Sequence, residues 1–167
     1  MEATELLRVL DVLEAEGIRA GLTGGWGIDA LLGRQTRPHG DADIGIRSEQ
    51  VDDAVRALAD LGYELISDDR PARVVLRSAM GHVDLHPIDV DARGHGVQRG
   101  LAGERFDYPP GSLEAVGQVG NHPVRCGTPA LQLAFHSHYA PRPHDLADLR
   151  ALADAFGLEL PPTYRPS

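Results

Sequence analysis

Leu22-Thr23-Gly24-Gly25-Trp26-Gly27, followed after a short gap by His39-Gly40-Asp41-Ala42-Asp43-Ile44, is the stretch on which the fold of this chain turns. Residues two apart on a strand point the same way, so Asp41 and Asp43 share one face while Ala42, Ile44 and Ile46 pack on the other. Two neighbouring carboxylates repel each other unless a cation sits between them. Magnesium suits that place, because it takes carboxylate oxygens together with substrate phosphates. A glycine pair opening a helix supplies the complementary part, offering backbone N–H groups and a positive dipole end to a phosphate. Together these features predict metal-dependent chemistry on a nucleoside triphosphate.

A third acid extends the pattern. Val83-Asp84-Leu85-His86 alternates apolar and polar and reads as a half-buried strand, with Asp84 and His86 on its polar face. If that strand lies beside the one carrying Asp41 and Asp43, three carboxylates converge, which suits a two-metal site for in-line phosphoryl or nucleotidyl transfer. The alternative for Asp84 is an ion pair with an arginine such as Arg77. His86 either contacts substrate or bonds a neighbour. His39 reads as support for the loop before the aspartates. Arg37 is the preferred triphosphate contact, with Arg34 second.

Gly24-Gly25-Trp26, His39-x-Asp41-x-Asp43 and Asp84-x-His86-Pro87 resemble the nucleotidyltransferase superfamily that includes DNA polymerase β. With Cys126-x-Thr128-Pro129-x-Leu131-Gln132, they resemble its small antibiotic-modifying members, the lincosamide and aminoglycoside adenylyltransferases. The resemblance takes in Gly24 to Ile46, Val83 to Gln98, Tyr108 to Leu113 and Val124 to Leu152. Members often carry Gly-Tyr where this chain has His138-Tyr139, and lysine where it has His144. The resemblance implies transfer of a nucleoside monophosphate, AMP from ATP or another triphosphate, to a hydroxyl of a small and cationic acceptor. It implies two Mg²⁺ ions on Asp41, Asp43 and Asp84, with Asp84 also as general base. Gly24, Gly25 and Arg37 are the expected nucleotide contacts, and Trp26, His86 and Tyr139 the expected substrate contacts. Other acceptors, a biosynthetic intermediate or a partner protein, stay open, as does a non-catalytic binding module on the same fold.

Composition narrows the partners. The formal net charge is −9, from 25 acidic and 16 basic residues, which excludes the basic footprint of a nucleic-acid binder. A negative field attracts a cationic small molecule. All 16 basic residues are arginine, so any side-chain cation on a phosphate is arginine or a protonated histidine. A single cysteine, Cys126, excludes an intrachain disulfide and reads as a packed small residue. No apolar run has the length of a membrane span, and the first residues lack a charged-then-apolar signal pattern. The expectation is a cytoplasmic monomer or homodimer.

The fold expected is α+β, a small mixed sheet with packed helices. A core over residues 1–105 precedes a C-terminal helical lobe over 106–167. Leu6, Leu10 and Leu13 mark a first helix, Ile18 to Leu22 a strand, and Gly24 to Leu32 a helix ended by Gly33. Ser48 is placed to cap a helix carrying Val51, Ala54, Val55 and Leu58. Strands follow at Tyr63 to Ile66, Val74 to Arg77 and His82 to Ile88. Nine of the 12 prolines lie at or beyond Pro109, so short interrupted elements are expected there. Thr128-Pro129 opens one helix, and Leu146, Leu149 and Leu152 mark the last. His136, His138 and His144 lack the spacing of zinc motifs. His138, Tyr139 and Arg142 are placed instead at the border of the acceptor pocket.

Overall fold

Helix α1 (Ala3–Ala15) buries Leu6, Val9 and Leu13, with Val9 on the buried stripe and the expected Leu10 only partly buried at its edge. The computed structural model describes residues 1–136, 142 and 144–164. Strand β1 (Gly21–Thr23) runs directly into α2 (Gly24–Leu32), which Gly33 closes in the left-handed conformation at φ 67°. Strand β2 (Asp41–Arg47) carries the two aspartates. Ser48 does not cap the next helix. It opens a single 3₁₀ turn, and α3 (Val51–Asp60) begins after Gln50 with no side-chain cap. Strands β3 (Glu64–Asp69), β4 (Arg73–Ser78) and β5 (Gly81–Val90) follow, then the short pair β6 (Gly96–Arg99) and β7 (Arg105–Tyr108). Strands β8 (Ala115–Val119) and β9 (His122–Cys126) precede α4 (Pro129–Phe135) and α5 (Asp145–Phe156).

The fold is mixed α/β, as expected. The main sheet runs β3-β4-β5-β2-β1-β9-β8, with β6 on the end of β5 and β7 on β6. Its centre is the parallel pair β2 and β5, which sets Asp43 opposite Asp84. Ala42, Ile44 and Ile46 join Leu6, Val9 and Leu13 of α1 and Val51, Ala54 and Leu58 of α3 in the main core, which leaves Asp41 and Asp43 on the other face.

The span 105–126 carries strands β7, β8 and β9 and no α-helix, where the lobe expected from 106 was helical. The cut at 105 falls at the head of β7, and helices resume only at Pro129. The two-residue turn Gly120-Asn121, with Gly120 at φ 60°, folds β8 back on β9, and β9 pairs in parallel with β1 at Leu22 and Cys126. Thr128 caps α4 as its sequence predicts, its hydroxyl accepting from the Leu131 N–H at 3.3 Å. Cys126 is fully buried, and burial pushes its thiol up to about 11, so it is inert packing. A second core joins Ile28 of α2 to Leu133, Leu149 and Leu152, holding α4 and α5 against α2. Among the described residues no helix is long and apolar enough to cross a membrane.

Candidate active site

Gly24 is where backbone geometry and the first carboxylate meet. Its φ of 60° lies in the left-handed region, and a Cβ there would collide with Oδ2 of Asp43. Glycine thus turns the chain from β1 into α2 and seats Asp43 against the start of that helix. Thr23, the residue before α2, makes no side-chain cap bond to it, so backbone N–H groups at the helix opening keep no side-chain acceptor from Thr23. The Thr23 hydroxyl donates to the Asp43 carbonyl at 3.4 Å instead.

Gly25 has a different constraint. A Cβ there would fall 2.6 Å from Nδ1 of His39 and 2.6 Å from a terminal nitrogen of Arg37. The arginine tip can move, but the His39 ring cannot. It is buried, stacked at 4.6 Å on Trp26, and bonded through Nε2 to Asp29 at 2.6 Å. Thr36 donates to the same carboxylate from its backbone and its hydroxyl. Burial raises Asp29, but the bonds from His39 and Thr36 outweigh it and leave its pKa below the ordinary carboxylate value. His39 is therefore the loop support that was expected. We expect Gly25→Val to cost about 1–3 kcal/mol of stability through overpacking against His39. A denaturant midpoint equal to wild type in urea unfolding would refute that.

The site opens into a cleft of about 460 Å³. Gly24, Gly25, Asp41 and Asp43 line it, together with Arg37, His136, Arg142 and His144. Phe106, Tyr108 and Phe135 supply an apolar patch, with Phe135 edge-on to Phe106 at 6.0 Å and 5.0 Å from Tyr108. Burial raises Asp43, but the bond with His86 and the positive charge of Arg142 outweigh it, and its pKa lies below the ordinary value. Asp84 goes the other way. Burial, then the negative charges of Asp43 and Asp41, hold it above the ordinary value against the pull of His86 and Arg73.

The expected site residues divide in the structure. Asp41, Asp43, Gly24, Gly25, Arg37 and His86 all line the cleft. Asp84 is beside Asp43 in register but is not among the described lining residues; Arg73, not Arg77, faces it, at 3.6 Å. Arg37 is engaged by Asp148 of α5, through Nε at 3.0 Å and a terminal nitrogen at 2.9 Å, so it ties the last helix to the cleft rim. Trp26, expected at a pocket wall, is 2% exposed, packs in the main core beside His39 and does not line this cleft. His86 lines the cleft and also bonds neighbours, with Nε2 3.0 Å from Asp43 Oδ1 and Nδ1 2.9 Å from Gln98 Nε2. Tyr139 and His138 lie outside the described residues. His136 and His144 both face Asp145, at 3.8 and 3.5 Å. Sequence reading missed Gln98, Phe106, Tyr108, Phe135, Asp145 and Asp148. The alternation of Phe106 and Tyr108 was the one available signal, since it places both on one face of a strand.

Among the described residues, no group of three His, Cys, Asp or Glu side chains is drawn together as a metal cage. Magnesium does not need one: it binds through one or two carboxylates plus substrate phosphates and water. Two acids on one strand face, with a third beside them whose charge they disfavour, are a donor set that fits Mg²⁺.

The model of the aminoglycoside-2″-adenylyltransferase family matches residues 5–152. The chain belongs to this family. It is a nucleotidyltransferase, an enzyme that moves a nucleoside monophosphate. A lincosamide resistance protein of Staphylococcus haemolyticus is 30% identical over 149 residues, 89% of this chain and 92% of that one. The crystal structure of a lincomycin-bound lincosamide antibiotic adenylyltransferase superposes with a TM-score of 0.78 at 29% identity, covering 89% of this chain and 94% of that one. ANT(2″)-Ia in complex with adenylyl-2″-tobramycin shares the fold, with a TM-score of 0.78 at 21% identity, over 93% of this chain and 89% of that one.

Proposed function

We propose that this family member transfers AMP from ATP to a hydroxyl of a small antibiotic, a lincosamide before an aminoglycoside. The observation that carries the reading is the placement of Asp43. It stands in register with Asp84 on the parallel strand, two residues from Asp41, and against the glycine turn that opens α2 onto the cleft. Asp41 and Asp43 would hold Mg²⁺, two ions with Asp84 completing the second. When bound, the metal supplies charge neutralisation at the phosphates and acidifies the acceptor hydroxyl.

The remaining roles belong to the chain itself. The N–H groups at the start of α2 receive a phosphate. Arg37 and Arg142, which line the same cleft as the aspartates, offset triphosphate charge in a chain that has no lysine. Asp84, in register beside Asp43, takes the hydroxyl proton as general base. Phe106, Tyr108 and Phe135 hold an apolar face of the acceptor. That patch, with the lincosamide-acting relatives, supports the lincosamide as first choice. The test is incubation of the purified protein with Mg²⁺, ATP or GTP, and a panel of lincosamides and aminoglycosides. Mass spectrometry is expected to show an AMP adduct on a lincosamide. No adduct on any member of the panel would refute the antibiotic acceptor.

A further inference from the structure

A chain of hydrogen bonds runs from the apolar patch to the metal strand, and it has a single consistent direction. The Tyr108 hydroxyl lies 2.7 Å from Oε1 of Gln98. Gln98 Nε2 lies 3.2 Å from the Ala72 carbonyl and 2.9 Å from Nδ1 of His86. His86 Nε2 lies 3.0 Å from Oδ1 of Asp43. Gln98 and Tyr108 are both buried, so each polar atom there needs its partner.

The Ala72 carbonyl only accepts, which places the amide NH₂ of Gln98 towards it. The amide oxygen then faces Tyr108, whose hydroxyl must donate. Burial and the nearby Asp43 charge raise the Tyr108 pKa far enough to keep that proton in place. The second hydrogen of the NH₂ points at His86 Nδ1, which must accept. The ring proton of His86 therefore sits on Nε2 and is donated to Asp43. With Oδ1 of Asp43 taken, Oδ2 is the oxygen left against the glycine turn.

We propose that Gln98 is a positioning residue for nucleotidyl transfer: it fixes the tautomer of His86 and, through that ring, holds the Asp43 carboxylate in its orientation at the start of α2. Turned over, the amide would set oxygen against the Ala72 carbonyl, and the ring would lose its fixed donor side. The contribution to transfer rests on the role given to Asp43 above; the tautomer itself does not. Partners that orient a metal ligand in this way are worth about 10- to 100-fold in affinity or activity.

The experiment is ¹⁵N spectroscopy of histidine-labelled, substrate-free protein at about pH 8, above the ordinary histidine pKa. The His86 signals are assigned by their loss in His86→Gln. Wild type is expected to show an unprotonated Nδ1 and a protonated Nε2. Gln98→Glu presents only an acceptor, so Nδ1 is expected to become protonated. Gln98→Met presents neither, so the ring is expected to average between tautomers. Calorimetry with MgATP is expected to show affinity about 10- to 100-fold weaker in both variants. Tyr108→Phe keeps the Ala72 and His86 bonds and is expected to retain the wild-type tautomer, which keeps the test open if a Gln98 variant does not fold. A protonated Nδ1 in wild type, an unchanged His86 spectrum in folded Gln98→Glu, or wild-type MgATP affinity in both Gln98 variants would overturn the proposal. None of these readouts uses an acceptor, so an antibiotic panel without an adduct leaves them intact.

Discussion

Asp43→Asn is expected to fold normally and to lose nucleotidyl transfer by a factor on the order of 10³ or more, equivalent to about 4 kcal/mol of transition-state stabilisation. The replacement is close to isosteric. Its amide oxygen can still accept from His86 Nε2, and the space beside Gly24 that admits the side chain is unchanged. What is lost is the negative charge. Asp43 and Asp41 share the strand face turned away from the main core. Removing that charge also relieves Asp84, whose pKa is held up by burial and then by Asp43. The Asp84 carboxyl of the variant is therefore expected to titrate closer to its ordinary value, which offsets part of the stability lost with the charge-assisted bond from His86. Turnover at the wild-type rate under saturating Mg²⁺ would remove Asp43 from the metal site. Equal loss of stability and activity would make it a structural residue instead. Asp41→Asn is expected to behave similarly in turnover. It is the exposed member of the pair, so its effect on the fold is smaller still.

The centre of this fold was legible because local signals there agree. Alternation from Asp41 to Ile46 and from Val83 to His86 describes two half-buried strands, and the structure pairs them with Asp43 beside Asp84. Gly24 to Leu32 was bounded correctly because a glycine stands at each end, both with positive φ. The strands beyond residue 105 were not seen, although Gly120-Asn121 between two short alternating runs is a hairpin signal. A proline within a run counts against a strand, yet β9 tolerates Pro123 facing Gln118 of the edge strand β8. The site was legible as far as its carboxylates and glycines. The burial of Trp26 was not legible, because a position at a helix head does not say which side the helix buries; here it packs beside His39. Arg37 was expected at the cleft and stands there, but its partner Asp148 is 111 residues away in sequence. Gln98 is invisible to pattern reading for the same reason. A glutamine on a short strand is unremarkable until topology sets it between Ala72, Tyr108 and His86.

Asp84→Asn separates the two roles that this carboxylate can hold. If it is mainly the general base, the variant binds MgATP and acceptor as wild type does and loses about 10²- to 10⁴-fold in kcat. If it is mainly a metal ligand, the variant needs more Mg²⁺ and recovers in part when the metal is in excess. The structure bears on the balance. Asp84 stands one strand outward from Asp43, outside the described cleft lining, with Arg73 at 3.6 Å on its other side. A strong ligand of a shared ion would be expected to face its partner carboxylates more directly. A base needs only hydrogen-bond reach of the acceptor hydroxyl, and free-state geometry at such a residue commonly tightens when substrate binds. We therefore expect the larger effect in kcat and a modest rise in the Mg²⁺ requirement, measured with the acceptor that the antibiotic panel identifies. Asn keeps the size of the side chain but leaves Arg73 without its carboxylate partner, so Arg73→Gln is the companion variant. It preserves the base, and a kcat within a few-fold of wild type is expected. If Asp84→Asn changes neither kcat nor the Mg²⁺ dependence, Asp84 is structural and another group accepts the proton. His86 is then a poor substitute, because both of its ring nitrogens already have partners.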